Sequence, residues 1–220
     1  MVDGTKSYPL KQAADILSKF PRAKFNETVD IALKLGVDPK QSDQMVRGTV
    51  PLPHGSGKTV RVLVFSKPGP SADAATKAGA EFVGFDDMIK KVTEGWSDFD
   101  VAIATTEAMV EVRKLGKVLG PRGLMPNPKT GTVTDDTARA VREVKAGRVE
   151  FKIDKAANIH VVAGKSTFTV DQICDNARAV IEAIVKAKPS GARGTFLQHC
   201  SISLTMSPPV SVDLREFSVG

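Results

Sequence analysis

The fold class is decided by residues 60–115, VRVLVFSKPGPSADAATKAGAEFVGFDDMIKKVTEGWSDFDVAIATTEAMVEVRKL. Short apolar runs alternate here with stretches of helical spacing, which predicts strands at 60–65, 81–84 and 101–105 and helices at 71–79, 85–94 and 107–115. Strands that alternate with helices pair in parallel, because each helix carries the chain back along the sheet. The segment therefore predicts an α/β unit, a parallel sheet covered by helices.

The two flanking segments have a different pattern. A helix is predicted at 9–20 and a strand at 28–35, and a long helix follows the N-cap Thr169 and ends before Pro189. A last strand at 196–206 places Cys200, Ile202, Leu204 and Met206 on one face and His199, Ser201, Ser203 and Thr205 on the other. Neither flank closes a core by itself, so we expect both to build one domain.

The predicted organisation is a two-domain protein of mixed α/β and α+β class. A discontinuous α+β domain takes residues 1–66 and 156–220, and an α/β domain of residues 67–155 is inserted into it. Strands at 46–52 and 59–65 flank a glycine-containing turn, and we expect them to pair as a hairpin. Two further strands are predicted at 148–153 and 159–162.

The composition excludes several classes of protein. The chain has 41% hydrophobic and 25% charged residues, as globular proteins have, and its apolar runs are far shorter than the ~20 residues of a membrane span. No signal or transit peptide is visible, so a cytoplasmic location is expected. Cys174 and Cys200 form no Cys-x-x-Cys pair, and three scattered histidines suggest no metal site. The net charge of +6 favours a polyanionic partner.

Three motifs are weak indications of nucleotide or acid–base chemistry. Gly57-Lys58-Thr59 resembles the end of a P-loop, but Leu52 stands where a glycine belongs and a strand follows instead of a helix. Residues 66–70 lack G-x-G-x-x-G, and their two prolines remove N–H donors. The acids Asp86, Asp87, Asp98 and Asp100 suit helix capping and solvation better than a carboxylate cluster. An enzyme with a nucleotide site in residues 67–155 stays open as an alternative.

Other features favour contact with nucleic acid, each beside a simpler interpretation. Residues 112–134 contain no acid and five basic residues, namely Arg113, Lys114, Lys117, Arg122 and Lys129, around the proline-rich loop Gly120–Pro128. This loop is either solvated or in contact with phosphates. The hydroxyl-lined face of strand 196–206 either faces water or bonds to ribose 2′-hydroxyl groups. Phe25 either packs in the core or stacks on a base.

Five stretches of the chain form a recognisable series. They are KFNETV at 24–29, DQMVRGT at 43–49 with LPHG at 52–55, GPRGLMPNP at 120–128, KAGRVEF at 145–151 and Thr205-Met206. Together they closely resemble the ribosomal protein L-one family of the large subunit, in its bacterial form. The resemblance covers nearly the whole chain. It implies a discontinuous α+β domain that holds the principal RNA site and an inserted Rossmann-like, three-layer α/β domain without a nucleotide.

The resemblance also implies a function. Members of that family bind the mobile stalk of large-subunit ribosomal RNA beside the exit site, assist release of deacylated tRNA, and repress translation by binding the leader of their own messenger RNA. The expected partners are therefore stalk RNA, exit-site tRNA and the chain's own mRNA leader. No catalysis, cofactor, metal or membrane is implied, and the protein outside the ribosome is expected to be a monomer. A non-ribosomal regulator that binds structured RNA is the alternative.

The resemblance assigns RNA contacts to seven residues in three segments. They are Lys24, Phe25 and Thr28 in the first segment, Lys165 and Ser166 in the second, and Thr205 and Met206 in the third. This assignment favours the RNA-facing interpretation of Phe25 over the core-packing one. The chain departs from the family pattern at Ser207, where members usually have glycine, and at His199, where many have serine. Both departures are expected to affect RNA affinity.

Overall fold

The computed structural model describes residues 6–192 and 194–217, with the side chains of Ser42 and Lys129 left out. The described helices and strands are α1 (Leu10–Ser18), β1 (Thr28–Leu35), β2 (Arg47–Pro51), β3 (Val62–Phe65), α2 (Pro70–Lys77), β4 (Phe82–Gly84), α3 (Asp86–Thr93), β5 (Val101–Ala104), α4 (Met109–Val112), α5 (Gly116–Leu119), α6 (Thr137–Lys145), β6 (Arg148–Lys152), β7 (Asn158–Lys165), α7 (Val170–Lys186), β8 (Leu197–Leu204) and β9 (Val210–Ser211). Within that described part, no helix has the length and apolar character needed to cross a bilayer.

The chain divides into two compact units. Met1–Gly57 and Arg148–Gly220 form the first, called here the terminal unit, and Lys58–Gly147 form the second, the inserted unit. The boundaries expected from the sequence, at 66/67 and 155/156, are therefore shifted. The reason is strand pairing, because β3 pairs within the sheet of the inserted unit and β6 pairs with β2 of the terminal unit.

The terminal unit is built on a four-stranded antiparallel sheet in the order β7-β1-β8-β9. Along β1, buried residues alternate with half-buried ones, as the apolar alternation of residues 28–35 predicts. The buried residues of β1 belong to one hydrophobic core together with apolar residues of α1 and α7. The opposite face of the sheet is polar and open, which gives the unit one packed face and one displayed face.

The long helix α7 begins as the sequence predicts. The Thr169 hydroxyl accepts a hydrogen bond from Gln172 N at 3.3 Å, and the Gln172 side chain accepts one from Thr169 N at 3.0 Å, so the two residues form a capping box. The buried stripe of the helix consists of Ile173, Asn176, Ala177, Val180, Ile181 and Ile184. Helical spacing places these residues on one side, against the sheet.

Asn176 is the polar member of that stripe and is fully buried. Its Oδ1 accepts a hydrogen bond from His54 N at 3.0 Å, and its Nδ2 donates to Gly55 O at 3.0 Å and to Ala163 O at 2.7 Å. A buried amide is stabilising only when such bonds are made. Asn176 therefore fixes the loop that leads out of β2 onto β7.

The strand β2 pairs with β6, in register from Arg47 opposite Lys152 to Pro51 opposite Arg148. The expected hairpin between β2 and β3 is therefore wrong. A turn rich in glycine shows where the chain reverses, but it does not determine which strand becomes the hydrogen-bonding partner. Here Val50 and Phe151 of the two-stranded ribbon pack into the core of the terminal unit, so burial selects β6.

The inserted unit contains a three-stranded parallel sheet in the order β4-β3-β5. All four residues of β3 are buried, because helices cover both of its faces. Val62 and Val64 join a hydrophobic cluster with residues of α2 and α6, whereas Leu63 and Phe65 join another with residues of α3, α4 and α5. The mixed α/β class predicted from the sequence is confirmed.

Candidate nucleic-acid interface

Residues from all three predicted segments meet at one end of the four-stranded sheet, called here the Thr28 end. Thr28 begins β1 and lies opposite Lys165, the last residue of β7, while Thr205 directly follows β8. Lys165 Nζ donates a hydrogen bond to Thr28 Oγ1 at 2.8 Å. Thr28 N donates to Thr205 Oγ1 at 3.0 Å. Antiparallel pairing thus joins the first segment to two segments that follow it by more than a hundred residues.

Ser166 lies behind this end rather than on its surface. The residue is only 6% exposed, and its hydroxyl donates to Asn26 Oδ1 at 3.1 Å. Ser166 N donates to Glu27 O at 2.8 Å, and the Arg22 guanidinium donates to Ser166 O. Ser166 therefore holds the segment before β1 in place, while its neighbour Lys165 stays half-buried at the surface.

A buried carboxylate that was not among the predicted residues joins the first and third segments. Glu27 is 1% exposed; its Oε1 accepts a hydrogen bond from Met206 N at 3.0 Å, and its Oε2 accepts one from Ala23 N at 3.2 Å. Burial of a carboxylate is costly unless its oxygens are hydrogen-bonded. The one signal in the sequence was an acid directly before an alternating strand, between Lys24 and Thr28.

Two large apolar side chains are displayed next to these contacts. Phe25 is 54% exposed and Met206 is 73% exposed. Phe25 is therefore not a core residue. The placement of Met206 on the buried face of the last strand is wrong, because β8 ends at Leu204 and the chain turns away there. Lys24 is exposed beside Phe25.

Ser207 closes the turn that displays Met206. Ser207 N donates to Leu204 O at 3.2 Å, and Ser207 Oγ accepts a hydrogen bond from Leu204 N at 2.9 Å. Among the described non-glycine residues, only Ala157 has a positive φ. The backbone at Ser207 therefore does not demand glycine, and the serine side chain supplies a bond that glycine lacks.

The open face behind the Thr28 end is mostly uncharged or basic. His199 is exposed and pairs with Lys34, and Ser203 pairs with Asp30 across β1 and β8. Asp30 is the acid on this face of β1. Burial raises the pKa of Asp30, while the nearby charges of Lys165 and His160 act in the opposite direction. The face thus offers hydroxyl groups and the imidazoles of His160 and His199, beside the partly buried acid Asp30.

This arrangement suits a folded polyanion better than catalysis. Lys24 and Lys165 supply positive charge, Thr28 and Thr205 supply hydroxyl groups, and the Phe25 ring is free to stack. Among residues 6–192 and 194–217, no group of three or more His, Cys, Asp or Glu side chains could hold a metal ion.

The inserted unit has a cleft of about 270 Å³ beyond the carboxyl ends of β3 and β5, where doubly wound proteins bind nucleotides. Its lining includes Ser66, Lys67, Pro68, Pro70, Thr105, Glu107 and Asp135. Lys67 Nζ lies 3.2 Å from Glu107 Oε2 and is thereby engaged. The prolines have no N–H group to offer a phosphate. The two carboxylates of the lining, the paired lysine and the missing N–H groups make this cleft unfavourable for a nucleotide.

The basic loop region of the inserted unit is partly structural. Arg113 and Lys117 are exposed, whereas Lys114 Nζ lies 2.6 Å from Glu111 Oε2 and the Arg122 guanidinium donates to Ser97 Oγ. Within Gly120–Pro128, Leu124 and Met125 pack on a hydrophobic cluster. The side chain of Lys129 lies outside the described residues. Both interpretations of the loop Gly120–Pro128, solvation and contact with phosphates, stay predictions.

Known proteins match the chain over nearly its full length. A family model described as "Ribosomal protein L1p/L10e family" matches residues 17–208. The protein named "Large ribosomal subunit protein uL1" of Clavibacter sepedonicus is 53% identical over 214 residues, which are 97% of this chain and 93% of that relative. Proteins of the same name from Clavibacter michiganensis subsp. michiganensis and Leifsonia xyli subsp. xyli are 52% and 53% identical over the same shares. The resemblance noted in the sequence is confirmed, and the chain belongs to the ribosomal protein L1p/L10e family.

Proposed function

We propose that this chain is a structural constituent of the large ribosomal subunit and binds the mobile stalk of large-subunit ribosomal RNA beside the exit site. The proposed contacts are Lys24, Phe25, Thr28, Lys165, Thr205 and Met206, with Ser166 supporting them from behind. Membership of the ribosomal family and relatives named as large-subunit proteins support this role.

The observation that carries the proposal is the display of Phe25 and Met206 beside Lys24 and Lys165. An exposed aromatic ring and an exposed methionine beside lysines combine apolar contact with positive charge at one surface. Structured RNA presents unstacked bases, ribose hydroxyl groups and phosphates, and these three groups match an aromatic ring, threonine hydroxyls and lysines. A protein partner with an acidic surface would pair with the lysines but would offer no unstacked base for the Phe25 ring.

The finer parts of the proposal follow from the same contact. We propose that a chain attached to the stalk assists release of deacylated tRNA from the exit site. We propose too that it represses its own operon by binding a stalk-like structure in the mRNA leader. The inserted unit is Rossmann-like and acts without a bound nucleotide or any catalytic step. Outside the ribosome the protein is a monomer.

A salt titration of binding to a stalk RNA fragment tests the proposal, with a helix-only RNA of equal length as competitor. We expect strong binding that resists the competitor, because shape and base contacts persist when counterions screen the phosphates. Equal affinity for the two RNAs at every salt concentration would contradict the proposed function. Co-sedimentation with large subunits at high salt distinguishes a ribosomal protein from a free regulator.

A further inference from the structure

Glu27 is the point at which the segments of the proposed interface are joined. Its two carboxylate oxygens accept from Met206 N at 3.0 Å and from Ala23 N at 3.2 Å, and its backbone oxygen accepts from Ser166 N at 2.8 Å. One residue thus bonds to the segment that displays Phe25, to the turn that displays Met206, and to the end of β7.

The carboxylate is turned away from solvent and so cannot meet RNA itself. Glu27 is 1% exposed, and no ion pair to it is found among the described residues. Both side-chain bonds go to backbone N–H groups, which neither move with side-chain rotamers nor depend on the identity of the neighbouring residues. A buried acid with this pattern costs desolvation, and its bonds fix the spacing of two backbone segments in return.

We propose that Glu27 is a positioning residue for RNA recognition, which holds Phe25 and Met206 at the separation the RNA requires. The inference rests on the proposed function. It names a specificity determinant of that site, whose bond to Met206 N joins residues 179 positions apart in sequence. Two side chains that must fit a folded RNA at the same time bind it cooperatively. When their distance is no longer fixed, the loss of binding free energy exceeds the sum of the two separate contacts.

Glu27→Gln is the informative substitution because it preserves size. The amide keeps one acceptor oxygen but points an NH₂ donor at a backbone N–H donor, so only one of the two bonds survives. Glu27→Asp keeps the charge and shortens the side chain by one methylene, which also prevents it from reaching both donors. The matched control is Asn176→Ala, which removes a fully buried side chain whose three hydrogen bonds go to backbone groups of His54, Gly55 and Ala163, outside the seven interface residues.

The experiment measures stalk-RNA affinity against the helix-only competitor for the full-length chain. It compares Met206→Ala in the wild-type and Glu27→Gln backgrounds. We expect Glu27→Gln alone to weaken stalk binding by about tenfold or more, with an unchanged salt slope since no phosphate contact is lost. Met206→Ala should cost about tenfold in the wild type and less than about threefold beside Glu27→Gln. Hydrogen exchange at Met206 N should accelerate.

The following outcomes would contradict the positioning role of Glu27. Equal losses from Met206→Ala in both backgrounds would overturn the inference, as would an equal loss of RNA preference in Asn176→Ala. If Glu27→Gln and Glu27→Asp both unfold the chain, Glu27 is a determinant of the fold and the inference fails. Failure of the proposed function is recognised separately, because then the wild-type protein itself does not prefer stalk RNA.

Discussion

The Thr28 end of the terminal unit and the cleft of the inserted unit differ in where their carboxylates point. At the Thr28 end, Glu27 turns inward onto backbone N–H groups, and the surface is left to lysines and hydroxyl groups. At the cleft, Glu107 and Asp135 line the cavity, although Asp135 Oδ1 also accepts a bond from Thr106 N at 3.0 Å. The cleft occupies the usual ligand position of its fold, yet its two carboxylates disfavour a phosphate group. Position in a fold is therefore a weaker guide to binding than the direction of the charged groups.

The largest effect is expected from the displayed residues at the Thr28 end. Met206→Ala and Thr205→Ala should each weaken binding to stalk RNA by ~1–3 kcal/mol, the cost of losing a good readout contact. Titration of labelled stalk RNA measures it. Met45→Ala, at a methionine that is 41% exposed elsewhere in the terminal unit, is the matched control and should leave affinity unchanged. Wild-type affinity in both interface variants would remove the distinction between the two regions.

A smaller effect is expected when only charge is removed from the same end. Lys165→Ala should reduce affinity several-fold at low salt and lower the slope of log affinity against log salt by about one, as for one phosphate contact. The control is Lys188→Ala, at an exposed lysine beyond α7. A slope that is identical in both variants would mean that Lys165 serves only to bond Thr28.

Asp30 tests whether a carboxylate on the open face of the terminal unit destabilises the folded protein. Because burial raises its pKa above 3.8, ionised Asp30 opposes folding at neutral pH, and Asp30→Asn should stabilise the chain slightly there. This advantage should disappear as the pH falls through the raised folded pKa to below 3.8, since the wild type then gains a proton on folding. Urea unfolding at several pH values measures it.

Asp154 is the control, because its pKa is shifted in the opposite direction from that of Asp30. Backbone hydrogen bonds from Asn158 and Ala156 lower its pKa, so its contribution is present at neutral pH and is lost as the pH falls through the lowered folded pKa. Asp154→Asn should therefore destabilise the chain at pH 7 where Asp30→Asn stabilises it. A shift in the same direction for both would contradict the assignment of burial as the cause at Asp30.

No effect at all is expected at the cleft. Isothermal titration of a mononucleotide or a dinucleotide should give no saturable heat. Glu107→Gln, which frees Lys67, should not create binding, because Pro68 and Pro70 still offer no N–H donors. Saturable binding by the wild-type chain would reverse the comparison and restore the enzyme alternative.

The regular elements were predictable because their signals are local. The alternation of residues 28–35 and the pair Thr169 and Gln172 depend on neighbours along the chain, and the structure confirms strand β1 and the start of α7. The turn after β2 was also visible. The partner strand of β2 was not predictable, because β6 lies about a hundred residues later in the chain. The pairing depends on which strand completes the hydrophobic core.

Part of the candidate site was predicted from the sequence through the family resemblance. Resemblance named seven residues in three segments, and the structure brings those segments together. The burial of Glu27 was missed because it depends on a bond between residues 179 positions apart. The outward turn of Met206 was missed because the strand ends two residues earlier than its apolar alternation predicts. Nothing in the sequence around an acid reveals that backbone donors from a distant turn will bury it.

The order β7-β1-β8-β9 has a consequence for synthesis. The inserted unit is complete once Gly147 has emerged, but β1 has neither neighbour until β7 and β8 follow. At ~5–20 residues per second, β1 waits on the order of ten seconds with Val29, Ile31, Leu33 and Leu35 unprotected. The middle of the chain is thus expected to fold first and the two ends last. A nascent chain stalled before β8 should expose β1 to chaperones and proteases.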